Sequence, residues 1–283
     1  SRGLGDVYKR QELGVEIEEN SELDLLVSFK EHENDPRIPE VCADMAKEMG
    51  EGKYYADLNV KMAQFELTLL DWAEAHKGAR KYVAFADKCW PAFPSQFGFE
   101  PCYVNSRLAS RGIPVSCEVD IYGALSEYIG LCISNDAVTL LDINNSVPQY
   151  IYDEDIKGKY DYKLTDTFMG FHCGNTPACK MCDSRAVKYQ LIQHRLLEPA
   201  GSEPDFTRGT LEGDIAASDI TFYRLQCNSE GELVSYVAEG EVLDVPTRSF
   251  GGIGIFAIKE MGRFYRHVLI EGNYPHHGAV MFG

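Results

Sequence analysis

No apolar run in this sequence approaches the roughly 20 residues that a membrane-spanning helix needs, and no secretory signal pattern opens it. Positive charge is scarce: 27 Lys and Arg stand against 44 Asp and Glu, a formal net charge of −17. Nucleic acid and anionic membrane surfaces are bound through positive patches, so neither is an expected partner. Internal repeats and low-complexity tracts are missing too. So is a phosphate-binding fingerprint. Gly251-Gly252-Ile253-Gly254 lacks the strand–GxGxxG–helix context and the downstream acid, and reads as a backbone turn. Disulfide pairing is the next absence. The nine cysteines are an odd count scattered through apolar segments, such as those of Cys42, Cys117 and Cys132, which fits a reducing compartment. The expected location is the cytoplasm. What is present, 45% hydrophobic and 25% charged residues, describes an ordinary globular protein. Its 283 residues allow one large or two medium domains, each with a real core.

The stretch around which the rest is organised runs from Gly112 to Asn145. Ile113 to Cys117 is a short apolar run, and Ile121 to Cys132 has the i, i+3/i+4 apolar spacing of a helix face. Ala137 to Leu141 reads as a second buried strand. Glu118 follows the first strand and Asp142 the second. If both strands belong to one parallel sheet, their carboxyl ends share the edge where open α/β folds place ligands. Two carboxylates there suit metal binding or proton transfer. Asp120 and Asp142 equally suit helix or turn capping, and the pair alone leaves both readings open. A third element is the loop-like Asn273-Tyr274-Pro275-His276-His277-Gly278. Glu, Asp and His together form an O/O/N set suited to Mn²⁺, Mg²⁺ or Fe²⁺.

Along the chain, residues 1–11 match no structural pattern and are set aside as a non-native or disordered lead. Leu23 to Phe29 forms the apolar core of a helix or strand. Helices are expected over Pro36 to Met49 and Tyr54 to His76, the latter strongly amphipathic. A short strand at Tyr82 to Ala86 then delivers Asp87, Lys88 and Trp90 to the edge carrying Glu118. Pro91 to Glu100 reads as an aromatic loop and Cys102 to Ser110 as a helix. Beyond Thr165, strands are expected at Asp166 to His172, Ile215 to Gln226, Glu232 to Leu243 and Phe264 to Glu271. The expected fold class is α/β: a partial, Rossmann-like layer domain over 12–140, then a β-rich antiparallel C-terminal domain over 141–283. His172, Cys173, Cys179 and Cys182 have zinc-like spacing, but no second paired half accompanies them. Buried thiols are the default there.

Several of these motifs resemble one family, the metal-dependent L-fucose isomerase and L-arabinose isomerase group. The resemblance rests on SCEVDIYGALSEYIG, on LLDINN, on FHCGN from Phe171 to Asn175 and on YPHHGAVMFG, with support from KCWPAFP and PCYVNSRLASRGIPV. It covers most of the chain from about Tyr82 onward, in the family's order. By this resemblance the chain corresponds to the second and third domains of the family and is a fragment at both ends, with its C-terminal domain truncated. The resemblance implies Mn²⁺, or Mg²⁺, Co²⁺ or Fe²⁺, held by Glu118, Asp142 and His277. It makes Glu118 and Asp142 the catalytic carboxylates and assigns substrate contacts to His276, Trp90, His172 and Lys88. It further implies a homo-oligomer, trimer or hexamer, acting on a monosaccharide.

The implied reaction interconverts an aldose and a ketose of the L-fucose/L-fuculose, D-arabinose/D-ribulose or L-arabinose/L-ribulose type through an ene-diol. Which carboxylate takes the proton stays open, because metal coordination lowers a carboxylate's basicity while burial raises it. A metal-dependent carbohydrate hydrolase or lyase is compatible with the same ligands, as is a non-catalytic sugar-binding relative. The fragment alone is expected to be inactive.

Overall fold

The computed structural model describes residues 13–283; the lead of residues 1–11 lies outside them. Three helices open the described chain: α1 (Glu22–Glu31), α2 (Ile38–Met49) and α3 (Ala56–His76). The Ser21 hydroxyl caps α1 by accepting from the Leu23 N–H. On α3, Leu58, Met62, Phe65 and Leu69 recur every three or four residues and are all buried. They pack with Phe29, Phe93, Phe97, Phe99 and Tyr103 into an aromatic core that also takes in Val187 and Leu211 from much later in the chain.

The expected strand near Tyr82 shrinks to β1 (Phe85–Ala86), which pairs in parallel with β2 (Val115–Ser116). Between them lie a one-turn helix, Phe93–Phe97, and α4 (Cys102–Ser110). The one-turn helix replaces the expected loop, with the rings of Phe93 and Phe97 stacked at 4.1 Å across its turn. After β2 come α5 (Ile121–Ser134) and β3 (Thr139–Asn145).

β3 does not join β2. It belongs to an eight-stranded sheet that also contains β4 (Thr167–His172), β5 (Ala186–Tyr189), β6 (Arg208–Asp214), β7 (Ser218–Cys227), β8 (Leu233–Val242), β9 (Gly252–Ala257) and β10 (His277–Phe282). A short helix, α6 (Leu191–Leu197), lies between β5 and β6. The sheet order is β4-β3-β10-β7-β8-β9-β6-β5, and β4 also pairs with β9. Six strands therefore close on themselves, every pair among them antiparallel, and the closure removes free edges. Leu141, Phe168, Phe222, Tyr236, Phe256 and Val280 form one of the buried clusters of this sheet.

Three expectations are corrected here. The carboxylates of Glu118 and Asp142 are not on the shared edge of one parallel sheet, because β2 and β3 lie in different sheets and Asp142 sits within its strand. Phe264 to Glu271 is helical, Met261–Phe264 followed by a wider-turned Tyr265–Glu271, because helical spacing lets Phe264, Tyr265, Val268 and Leu269 all pack into or against one buried cluster. The glycine-rich run at 251–254 is no turn: Gly252 opens β9, all six of whose residues are buried. Gly254 faces Phe256, Ile215 and Val242 with no room for a side chain without displacing them. The large, mostly antiparallel sheet and the helices together make a mixed α/β molecule.

A candidate metal centre between the barrel and helix α5

The site is built by register. His277 opens β10 and pairs directly with Asp142 on β3, and directly opposed residues of antiparallel strands project to the same face. His276, the last residue before the strand, puts its Nε2 3.4 Å from Asp142 Oδ1. His277 Nε2 stands 3.0 Å from the same Oδ1 and 3.4 Å from Glu118 Oε2. Glu118 arrives from the other side, in the turn between β2 and α5. That turn is tight: Glu118 and Val119 both take left-handed backbone conformations, at φ 63° and 58°. The Val119 N–H donates to the Asp87 carbonyl at 2.7 Å, tying the turn to the end of β1.

Asp120, two residues on, does three things at once. It caps α5 by accepting from the Gly123 N–H at 2.8 Å. It accepts both arms of the Arg224 guanidinium, at 2.7 and 2.8 Å. It also accepts from His277 Nδ1 at 2.9 Å. The capping function expected of Asp120 is present, but the same carboxylate also holds the histidine. Arg224, on β7, further donates to the His277 carbonyl at 3.3 Å.

His172, at the end of β4, is 4% exposed. Its Nδ1 accepts from the Cys173 N–H at 3.0 Å.

Two groups of ligand atoms converge: one from Asp142, His172 and His277, the other from Glu118, His276 and His277. Within each group the atoms lie within 4.8 Å of one another. An ion with bonds of about 2.0–2.3 Å needs little side-chain adjustment to reach such a set. The fit is supported by unsatisfied atoms. Asp142 Oδ1, His277 Nε2 and His172 Nε2 are all buried without a properly angled hydrogen bond, although the first two approach to 3.0 Å. Native interiors rarely leave such atoms unpaired without a function.

The charges fit as well. Burial disfavours charge on His277, but Asp120, Asp142 and Glu118 outweigh it and push the imidazole up to about 11. Burial likewise raises Asp142, yet His277, His172 and His276 together bring it below the usual range. Glu118 is lowered chiefly by His277, whose Nε2 stands 3.4 Å from its carboxylate. Asp120 is held well down by His277 and Arg224 despite its burial. Without a metal, a proton on His277 is thus the cation this acidic pocket collects.

All five of Glu118, Asp142, His172, His276 and His277 meet at this place. Lys88 and Trp90 are exposed on the neighbouring turn and make no hydrogen bond, ion pair or ring contact with any of them. The zinc-like cysteines do not assemble: among the described residues, no metal-competent group contains Cys173, Cys179 or Cys182. Sequence reasoning missed the holding pair Asp120–Arg224. The EVD run gave Asp120 a visible place, but nothing local to Arg224 announces its partner 104 residues away.

The C-terminal part of the chain, residues 170–283, matches the model of the family described as L-fucose isomerase, C-terminal domain. The matching segment carries His172, His276, His277 and Arg224, while Glu118, Asp120 and Asp142 precede it. The chain is also similar to the sulfoquinovose isomerase of Alkalicoccus urumqiensis, 26% identical over 230 residues, covering 76% of this chain and 44% of that protein. It is 26% identical over 227 residues to the sulfoquinovose isomerase of Priestia aryabhattai, covering 79% of this chain and 44% of that protein. With that of Clostridium sp. (strain MSTE9) it shares 24% over 208 residues, 71% of this chain and 39% of the relative. The chain spans less than half the length of the curated relatives it matches.

Proposed function

We propose that this chain carries the metal-binding and proton-transfer residues of an aldose–ketose isomerase. The observation that carries the reading is that Glu118 and Asp142 each come together with His277, in two groups of ligand atoms that share this histidine, and that Asp142 Oδ1 and His277 Nε2 are buried and unsatisfied. Their chemistry suits a hard divalent ion, with Mn²⁺ first and Mg²⁺, Co²⁺ or Fe²⁺ as alternatives. Bound there, such an ion supplies Lewis acidity toward the oxygens on carbons 1 and 2 of the sugar.

The protein's own groups supply the proton chemistry. Isomerisation removes a proton from carbon 2 of the aldose and returns one to carbon 1, while the hydroxyl proton moves between the two oxygens. Glu118, with its side chain 62% exposed, faces the mouth and reaches the substrate carbon. Asp142, at 15%, stays at the floor and orients the pair of oxygens. His276, 58% exposed beside them, contacts the sugar at the entrance. Trp90, exposed on the neighbouring turn, offers a stacking face. Lys88, exposed and free of ion pairs among the described residues, offers a cation to an anionic sugar substituent. The relatives' names make sulfoquinovose the first sugar to test, with L-fucose and the arabinoses beside it. The resemblance further supports a cytoplasmic homo-oligomer, a trimer or hexamer, built from chains of the relatives' length.

The test is conversion of sulfoquinovose and L-fucose to ketoses by a version of this chain extended to the relatives' length, followed with and without Mn²⁺. The expected result is ketose formation that needs the metal and disappears in Glu118→Gln and Asp142→Asn. Hydrolytic products instead would favour a metal-dependent carbohydrate hydrolase, and sugar binding without turnover a non-catalytic relative.

A further inference from the structure

Two buried histidines face the candidate centre, and their other ring nitrogens see opposite partners. His277 Nδ1 meets the Asp120 carboxylate at 2.9 Å, an acceptor, so Nδ1 keeps its proton and Nε2 can present a lone pair. His172 Nδ1 meets the Cys173 backbone N–H at 3.0 Å, a donor, so Nδ1 must offer its lone pair. In a neutral imidazole the proton then resides on Nε2.

We propose that His172 serves the site as an N–H donor that holds the Asp142 carboxylate, and is not itself a metal ligand. Its ring nitrogen and an Asp142 oxygen belong to one group of atoms within 4.8 Å of one another. Both His172 Nε2 and Asp142 Oδ1 are buried and lack a hydrogen bond. Asp142 Oδ1 has the ion-pair approach of His277 Nε2 at 3.0 Å but no properly angled hydrogen bond, and the buried, unpartnered N–H of His172 is the donor that complements it. For His172 to ligate through Nε2 instead, its proton would have to move to Nδ1, where it would face the Cys173 N–H donor head on. The site then has one holder for each inner ligand: Asp120 for His277 and His172 for Asp142. Such outer partners orient metal ligands and set their basicity. His172 is a positioning residue in this arrangement. The inference rests on the metal reading above.

The test uses the 283-residue chain itself and needs no turnover. Histidine ¹⁵N NMR, with and without Mg²⁺, reads the tautomer of each ring. His172 is expected to keep its proton on Nε2 in both states, whereas His277 with Mg²⁺ carries its proton on Nδ1 alone. Pulsed EPR of the Mn²⁺-loaded chain is expected to show one coordinated imidazole nitrogen, retained in His172→Gln. The Gln amide can still donate, so His172→Gln should hold Mn²⁺ within about threefold of wild type. His172→Leu, which cannot donate, should lose about tenfold or more. A proton on His172 Nδ1, or a second coordinated nitrogen that vanishes in His172→Gln, overturns the proposal. Should the Leu variant fail to fold, the wild-type spectra and the Gln variant still decide. A wild type that holds neither Mn²⁺ nor Mg²⁺ defeats the metal reading instead, and the metal-free tautomer of His172 remains a separate result.

Discussion

A histidine surrounded by carboxylates is useful as a ligand only if one of them fixes its ring and the others stay free. At His277 that division is made by Arg224, which takes both oxygens of Asp120 and no oxygen of Glu118 or Asp142. Asp120 is thereby neutralised as a competing ligand while still accepting from Nδ1. Asp120→Asn preserves shape but loses the charge that holds both Arg224 and the imidazole. Its Mn²⁺ affinity should fall about 10–100-fold, measured by titration at constant pH. Arg224→Gln should weaken Mn²⁺ in the same direction, because it frees Asp120 to turn away. Unchanged affinity in both variants would mean that Asp120 is only a helix cap.

At the scale of elements, the site exists because α5 lies against β7 and β10 closely enough to bring Asp120 to His277. Gly123 and Gly130, seven residues apart, share the helix face turned to the sheet. A Cβ on Gly130 would collide with the Tyr223 hydroxyl, and one on Gly123 would press into Asp120 and Leu140. Tyr223 also donates to the Ser126 carbonyl at 2.8 Å, pinning the same helix. Gly130→Ala should therefore destabilise the chain by about 1–3 kcal/mol and weaken Mn²⁺ binding as well. A thermal melt and a metal titration on one preparation check both, and a change in stability alone would uncouple the helix from the site.

Helical stretches with clear apolar spacing were legible from the chain: α3, α4 and α5 appear close to their expected bounds. So were the residues that converge, because Glu118, Asp142 and the His pair stand in distinctive local runs. The route of convergence was not. It depends on β3 pairing with β10 rather than β2, a contact across more than 130 residues that leaves no local periodicity. The buried strand β9 was hidden for a related reason. Gly254 answers to the neighbouring Phe256 ring, and Gly252 to the backbone of Gly174, His172 and Leu211, so tertiary contacts determine a composition that reads locally as a bend.

Across the whole molecule, the excess of acid places several carboxyls inside with no cation beside them. Glu100 is fully buried, neither of its oxygens has a hydrogen-bond partner, and burial reinforced by Asp87 pushes it up to about 9. Burial carries Glu127 to about 8 despite the Ser116 hydroxyl that donates to it. With His277 at about 11, these groups bind protons more tightly folded than unfolded. Their contribution is complete below the unfolded values, near 4.5 for Glu and 6.5 for His, and is lost as pH rises through the folded ones. The depressed carboxylates Glu118, Asp120 and Asp142 act in the opposite sense, losing stability as the solution becomes strongly acidic. The metal-free chain should therefore be most stable on the acidic side of neutrality and weaken toward pH 9. Glu100→Gln removes the group that must otherwise ionise without a partner. At pH 8 it should stabilise the metal-free chain by on the order of 1–4 kcal/mol, and at pH 5 by much less. Urea unfolding at the two pH values measures the difference. An equal effect at both would show that Glu100 acts through packing, and that its proton does not set the alkaline limit of the fold.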